Sequence, residues 1–185
     1  MKAITLTQPW ASLVAFGAKK IETRSWHTSY RGELAIHAAK GWTAKDRALV
    51  EQEPFKGALR SLTVETMPLG EVVAVAEMRQ CFIMTDGPTE PLLLDLSIAT
   101  VPEPERTFGG YERGRYAWML DGARELPRSV RSRGKLGIYD LDRDVAEAVR
   151  CQLEDFEERA AIFEHDAGLK RAEAERLAFL YMKGA

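Results

Sequence analysis

Apolar and polar residues alternate over residues 3–7, the pattern of a short half-buried strand. Pro9 follows, and proline suits the first turn of a helix because its missing N–H would have no intrahelical partner there. Trp10, Leu13, Val14 and Gly17 then recur at i, i+3, i+4 and i+7, one helical face, with Gly17 predicting the helix end. In IETRSW the apolar Ile21 alternates with Glu22 and Arg24, as in an extended segment. GELAIHAA predicts a further strand, with Leu34, Ile36 and Ala38 on one face and Glu33, Ala35, His37 and Ala39 on the other. Residues 43–62 predict helix with a break near Pro54, N-capped by Thr43 with Asp46 three residues on. GEVVAVAEM at 70–78 is a continuous apolar run and predicts a central strand. Residues 85–114 are rich in Pro, Gly and charge, with apolar content in LLLDLSI alone; they predict a long excursion loop with at most a short helix. RYAWML and KLGIYDL predict the last two strands, with a basic turn before the second.

The pattern changes at Asp142. VAEAVRCQLEDFEERAAIF has helical periodicity, HDAG stops it, and LKRAEAERLAFLYMKG starts a second helix after Gly168. The chain therefore divides into a β-rich domain at 1–141 and a helical hairpin at 142–185. Leu153, Phe156, Ala160 and Phe163 form a stripe on the hairpin. It packs by default on the chain's own β-rich part, and otherwise offers a protein partner or a second copy a surface.

Composition narrows the class. The 185 residues are 45% hydrophobic and 29% charged, a globular balance. No apolar run approaches the roughly 18 residues of a membrane span, and MKAITLTQPW lacks the apolar core of a signal peptide, so a cytoplasmic location and no membrane partner are expected. Cys81 and Cys151 stand outside any CxxC and are expected to be free, half-buried thiols. His27, His37 and His165 do not cluster with each other or with cysteine, so neither a metal nor a cofactor is expected. The net charge of −2 hides an asymmetry. Residues 142–185 carry 7 Lys+Arg against 11 Asp+Glu, whereas 124–135 carry five basic residues against Glu125 alone. Residues 1–40 hold six basic residues against Glu22 and Glu33. A fold that joins those segments would make a basic surface on an acidic chain.

Gln8, Lys19, Glu22, Arg24, His37 and Lys40 lie between apolar residues that already have a core to build, which makes this stretch the candidate site. Each has a plain structural reading beside the functional one. Lys19 and Lys20 follow a helix C-terminus, where a cation favours the free carbonyls. Glu22 and Arg24, two apart on an extended segment, share a face and can pair. Glu22 near Lys19 can act as a general base if its pKa is raised. Trp10 packs in a core or meets a base, and Trp26 and Tyr30 stack on unpaired bases or pack. His37 is either structural or catalytic. Arg131, Arg133 and Lys135 flank Gly134 in a turn that is solvated or contacts phosphate.

QPWASL, GAKKIETRSW, YRGELAIHAAK, GEVVAVAEM, GRYAWML and RGKLGIYDL, in that order, resemble successive segments of an ASCH domain. That family belongs to the PUA-like superfamily. The resemblance covers residues 1–141 and no part of the loop at 85–114. It implies an α+β fold, a small PUA-like β-barrel flanked by helices, here with the C-terminal helical hairpin added. It also implies a cleft lined by the turn after the first helix, and a function in nucleic-acid or nucleotide chemistry. Members are linked to RNA or DNA binding, transcription coactivation, ribonuclease activity and deacetylation of N4-acetylcytidine. Lys19 matches the lysine of the family's G-x-K turn, Glu22 and Arg24 the charged pair after it, and Gln8, Pro9 and Trp10 the motif opening the first helix. In the small amidohydrolase branch a threonine three residues after that lysine is the proposed nucleophile; Glu22 stands there in this chain. Thr23 is adjacent but faces the other way on a strand. No motif places a counterpart of that branch's distant glutamate; Glu77 is a guess from position alone. ERAAIFEHDAGLKRAEAERLA is similar to a short helical segment of bacterial and phage proteins linked to mobile DNA.

The expected function is thus binding of RNA or single-stranded nucleic acid in a basic cleft. Lys19, Arg24, Lys40, Arg131, Arg133 and Lys135 would meet phosphates, and Trp10, Trp26 or Tyr30 would meet bases. The alternative is an RNA-processing enzyme, a ribonuclease or nucleoside amidohydrolase, with Lys19, Glu22 and His37 as its catalytic centre.

Overall fold

A computed structural model of the chain describes residues 1–85, 95–97 and 101–184. Among these residues seven strands form one sheet: β1 (Lys2–Leu6), β2 (Ile21–Arg24), β3 (Gly32–Ala38), β4 (Glu71–Thr85), β5 (Asp95–Ser97), β6 (Tyr116–Arg131) and β7 (Ile138–Asp140). The order is β2-β6-β4-β3-β1-β7, with β5 paired to the far end of β4. β1 runs parallel to β3 and antiparallel to β7.

The sheet curls. β6, β4 and β3 lie between β2 and β1, so in a flat sheet those two strands would stand roughly 19 Å apart, four spacings of about 4.8 Å. Yet Arg24 Nη2 on β2 donates to Thr5 O on β1 at 3.0 Å. One guanidinium therefore spans the open side of a half-barrel.

Both faces of the sheet are covered, which is why 70–78 reads as an unbroken apolar run rather than an alternation. α1 (Trp10–Ala15) closes the inner face, where Ala11, Val14 and Ala15 meet Ile4, Leu34, Ile36, Ala76, Met78 and Trp118. α4 (Arg143–Asp166) covers the other face, where Ala146, Val149 and Leu153 meet Ala3, Ala35, Val72, Val75 and Leu126. α5 (Arg171–Gly184) folds back on α4, burying Ala174, Ala178 and Met182. Arg171 ties the hairpin by ion pairs to Glu157, Glu164 and Glu175. Gly168 lies between the two helices at a φ of 64°. The Leu153–Ala160 part of the predicted stripe faces inward, and Phe163 meets Tyr181 edge-on.

Several boundaries differ from the sequence expectation. The segment at 43–62 forms only two short helices, α2 (Ala44–Leu49) and α3 (Phe55–Ala58), the first opened by a Thr43–Asp46 capping box. Their apolar residues join Leu13 and Phe108 in a separate small cluster. β4 and β6 run far beyond the predicted segments, pairing antiparallel with three register irregularities. Each irregularity shifts the inward set by a residue and blurs the period of two. The arginines at 124, 128 and 131 therefore lie on a strand, and the basic turn begins only at Ser132. Of KLGIYDL, only Ile138–Asp140 is strand. Within 85–114, β5 and a 3-10 helix at Glu105–Phe108 are formed, while 86–94 and 98–100 lie outside the described residues. The thiols are free, but Cys81 is buried and Cys151 exposed rather than both half-buried. Among the described residues no helix is long and apolar enough to cross a membrane.

Candidate functional site

Two clefts meet along Thr5, Thr7 and Arg24. The smaller, about 500 Å³, has Trp10, Phe55 and Phe108 among its apolar walls and Lys19, Glu22, Arg24 and Glu53 as its charged residues. The larger, about 1170 Å³, is bordered by Arg24, Lys40, Arg131, Arg133 and Lys135.

The smaller cleft begins with the end of α1. Gly17 takes a φ of 70°, and the N–H groups of Ala18 and Lys19 both turn back to Leu13 O, at 2.9 and 3.0 Å. This turn drives the Lys19 side chain inward, where only 2% of the residue is exposed. Its ammonium donates to Ile21 O and lies 3.6 Å from Glu105 Oε1. Burial pushes the Lys19 pKa down, while the nearby Glu22 and Glu105 carboxylates pull it back up. Glu105, in the 3-10 helix, also accepts from the backbone N–H groups of Lys20 and Ile21 at 2.7 and 3.2 Å and from Tyr111 Oη at 2.7 Å. The Tyr111 ring presses so closely on Gly109 that a Cβ there would sit 2.6 Å from Cε2, which explains a glycine at that position.

Glu22 pairs with Arg24 rather than with Lys19: Arg24 Nε lies 3.1 Å from Glu22 Oε1. The Arg24 Nε–H is not aimed at that oxygen, so the contact is electrostatic rather than a formed hydrogen bond. Burial pushes the Glu22 carboxyl above the usual range, against the pull of Lys19, Arg24 and Arg115. Arg115 Nη2 meanwhile donates to Thr23 O at 3.0 Å.

The larger cleft is built on the turn at 132–137. Ser132 N donates to Gly70 O at 3.1 Å, and Thr5 Oγ1 donates to Lys135 O at 3.1 Å. His37 is 1% exposed, with Nε2 3.2 Å from Ser132 O. A carbonyl only accepts, so Nε2 is assigned the proton; Nδ1 is then an unprotonated nitrogen with no partner. Burial holds the His37 pKa below its ordinary value. Gly134 lies against this ring: a Cβ there would come within 2.6 Å of His37 Cε1 and 2.8 Å of Thr5 Oγ1. Lys135 is shared with Asp142 at 3.4 Å, and Arg131 lies 3.6 Å from Glu71. Lys40 and Arg133 are exposed and make no ion pair among the described residues.

The structure thus brings Arg24, Lys40, Arg131, Arg133 and Lys135 to one cleft and Trp10, Lys19 and Glu22 to the other. His37 lies behind the turn of the larger cleft, apart from Lys19 and Glu22. Trp26 and Tyr30 line neither cleft. Trp26 stands edge-on to the core Trp118 with ring centroids 4.6 Å apart, and Tyr30 Oη donates to Glu33 O. Glu77 is likewise elsewhere, paired with Arg79 at 2.9 Å. The carboxylate beside Lys19 is Glu105, which the sequence reading missed. It sits in an aperiodic loop, and the only local signal is the Pro and Gly punctuation of PEPERTFGG. Among the described residues no group of three or more His, Cys, Asp or Glu is placed to hold a metal ion.

A family model for the ASCH domain matches residues 4–116 of the 185, and the chain belongs to that family. Over 81 residues, 42% of this chain, it is 35% identical to Activating signal cointegrator 1 of Mus musculus. Over 59 residues, 32% of this chain, it is 41% identical to Activating signal cointegrator 1 of Homo sapiens. The matched stretches span 14% and 10% of those two proteins, so this chain corresponds to a small part of their length. Among solved structures it is similar to ASCH from Zymomonas mobilis, with 11% identity, a TM-score of 0.45, and 81% of this chain and 93% of that one covered. A serine-to-alanine mutant of that protein matches with a TM-score of 0.44, again at 11% identity, covering 81% of this chain and 94% of that one.

Two outcomes follow from the buried groups. Glu105→Ala leaves the Lys19 ammonium buried without its carboxylate and is expected to lower stability by about 3–5 kcal/mol in urea unfolding. The double variant Lys19→Met with Glu105→Leu recovers the share due to the unpaired ammonium, while the share due to the Lys20 and Ile21 N–H groups that Glu105 accepts from remains lost. For His37, the folded pKa is below the unfolded one, so the unfolded chain binds the proton more readily. Its contribution is present above the ordinary value of 6.5 and is lost as pH falls below it. Urea midpoints of the wild type should drop between about pH 7 and 5 relative to those of His37→Gln; a rise would mean that an anion faces the ring.

Proposed function

We propose that this ASCH-family protein binds single-stranded nucleic acid, RNA above all, with the phosphates of the strand along the larger cleft. The observation that carries this reading is the convergence of five cationic side chains on one concavity in a chain of net charge −2. Composition alone gives no such patch on an acidic protein. The cleft, at about 1170 Å³, exceeds the 300–1,000 Å³ typical of small-molecule sites. It is concave, whereas reading a duplex calls for a protruding helix or ribbon, and a flexible single strand can follow it. RNA binding is also a function linked to the family. Residues 1–141 would carry the binding, with 142–185 supporting the sheet from behind.

A second reading is supported by Glu22. Its raised carboxyl opens on the smaller cleft, which shares Arg24, Thr5 and Thr7 with the larger one. A nucleotide entering from the bound strand would meet a carboxyl that burial makes a better proton acceptor than an ordinary glutamate, the direction that general acid–base work requires. Since glutamate stands where the amidohydrolase branch has threonine, acyl transfer to a threonine hydroxyl has no counterpart at that position.

Fluorescence anisotropy with a labelled single-stranded RNA tests the binding reading. The logarithm of the affinity should fall linearly with the logarithm of salt concentration, and Arg133→Ala should weaken binding and flatten that slope by about 0.7. Binding indifferent to salt and to Arg133→Ala would overturn it. For the second reading, turnover of RNA and of N4-acylated cytidine is expected to fall at least about 100-fold in Glu22→Gln. No product from the intact protein in either assay removes that reading and leaves the first standing.

A further inference from the structure

Leu136 is 99% exposed, nearly twice the value of any other large hydrophobic side chain among the described residues. A single exposed leucine is ordinary on a protein surface. This one differs in three respects. It borders the larger cleft, in direct sequence continuity with Arg133 and Lys135. The turn that presents it is held on one side by His37 to Ser132 O, by Thr5 to Lys135 O and by Gly134 seated against both side chains. On the other side, Ile138 begins the paired strand β7 opposite Ile4. A floppy loop would tuck the leucine away; a turn this well fixed holds it out in solvent, where it contributes nothing to the fold.

We propose that Leu136 is a base-contacting wedge: it lies against, or inserts between, the bases of a single strand whose phosphates lie on Arg131, Arg133 and Lys135. The inference rests on the binding reading above and adds the part that touches bases. The charge around Leu136 selects the partner. Cations one and three residues before it favour a polyanion, and the apolar tip among them favours one with flat apolar faces a few ångströms from its charges. A nucleic-acid strand has both, and aliphatic side chains are known to unstack base steps in this way. The tip also compensates for the position of Trp26 and Tyr30, which line neither cleft. The larger cleft has no Phe, Tyr or Trp among its lining residues, the His37 ring is buried and Leu69 is half-buried, so Leu136 is its one large exposed apolar side chain.

The test uses the full chain and a 12-nucleotide single-stranded RNA carrying 2-aminopurine at its centre. Leu136→Ser should weaken binding about tenfold, the effect of losing one buried leucine contact. The salt slope should stay unchanged, because no phosphate contact is lost. The 2-aminopurine signal change seen with the wild type should shrink in Leu136→Ser and return in Leu136→Phe. Equal affinity and an equal signal for wild type and Leu136→Ser overturn the wedge while leaving the binding reading intact. Wild-type protein that does not bind the RNA overturns both. Sedimentation with phosphatidylglycerol vesicles that depends on Leu136, with RNA binding that does not, assigns the leucine to a lipid surface and also overturns the wedge.

Discussion

The ammonium of Lys19 is buried, and much of the site is arranged around satisfying it. An unpaired charge at such a position costs several kcal/mol, so the chain has to bring an oxygen set to it. Ile21 O is supplied locally, two residues on, by the turn that leads from α1 into β2. The carboxylate comes from Glu105, 85 positions from Lys20, and the same carboxylate takes up two backbone N–H groups at the start of β2. Among the described residues β2 pairs with β6 alone, so those N–H groups have no neighbouring strand there to pair with. One acidic side chain thus neutralises a buried cation and ends a sheet edge. It also fixes the 3-10 helix whose Phe108 walls the smaller cleft.

Arg24 has the corresponding role between the clefts. Its reach to Thr5 O ties the first strand of the sheet order to the fifth, and its Nε lies 3.1 Å from Glu22 Oε1. The guanidinium is half-buried, partly neutralised and common to both concavities. A phosphate arriving at Arg24 would compete with Glu22 for the same charge, so occupancy of the larger cleft would loosen the ion pair on the floor of the smaller one. The raised Glu22 carboxyl fits that position: it is a group whose charge is only partly compensated, with a partner that a ligand can draw away.

The family and the first half of the fold were legible because they rest on local order. The strand, the Q-P-W helix, the G-x-K turn and the A-I-H strand follow one another within about forty residues, and each has its own period. Pairing of Glu22 with Arg24 followed from strand geometry alone. The lengths of β4 and β6 were not legible, since their irregular registers mix inward and outward residues and their outer ends are polar. Glu105 and the packing of Gly134 on His37 were also hidden. Both are contacts between aperiodic turns and distant strands, and nothing in composition or spacing marks which acid or which glycine will meet its partner.

The hairpin at 142–185 bears on the cleft through a similar chain of contacts. β7 is three residues long and lies at the end of the sheet, too short to hold its own position. It is followed at once by Leu141 and Asp142. Leu141, Ala146, Val149 and Leu153 pack together over Ala3, Val72 and Leu126, so the docking of α4 pins β7 from the C-terminal side. The turn at 132–137 lies between that pinned strand and the end of β6, and Lys135 reaches across to Asp142 at 3.4 Å. Loss of the hairpin would therefore release the basic turn, although the hairpin itself carries a net −4 and is no candidate to touch a polyanion. On the proposed binding reading, its acidic surface would repel an anionic strand from the outer helices and favour approach at the cleft.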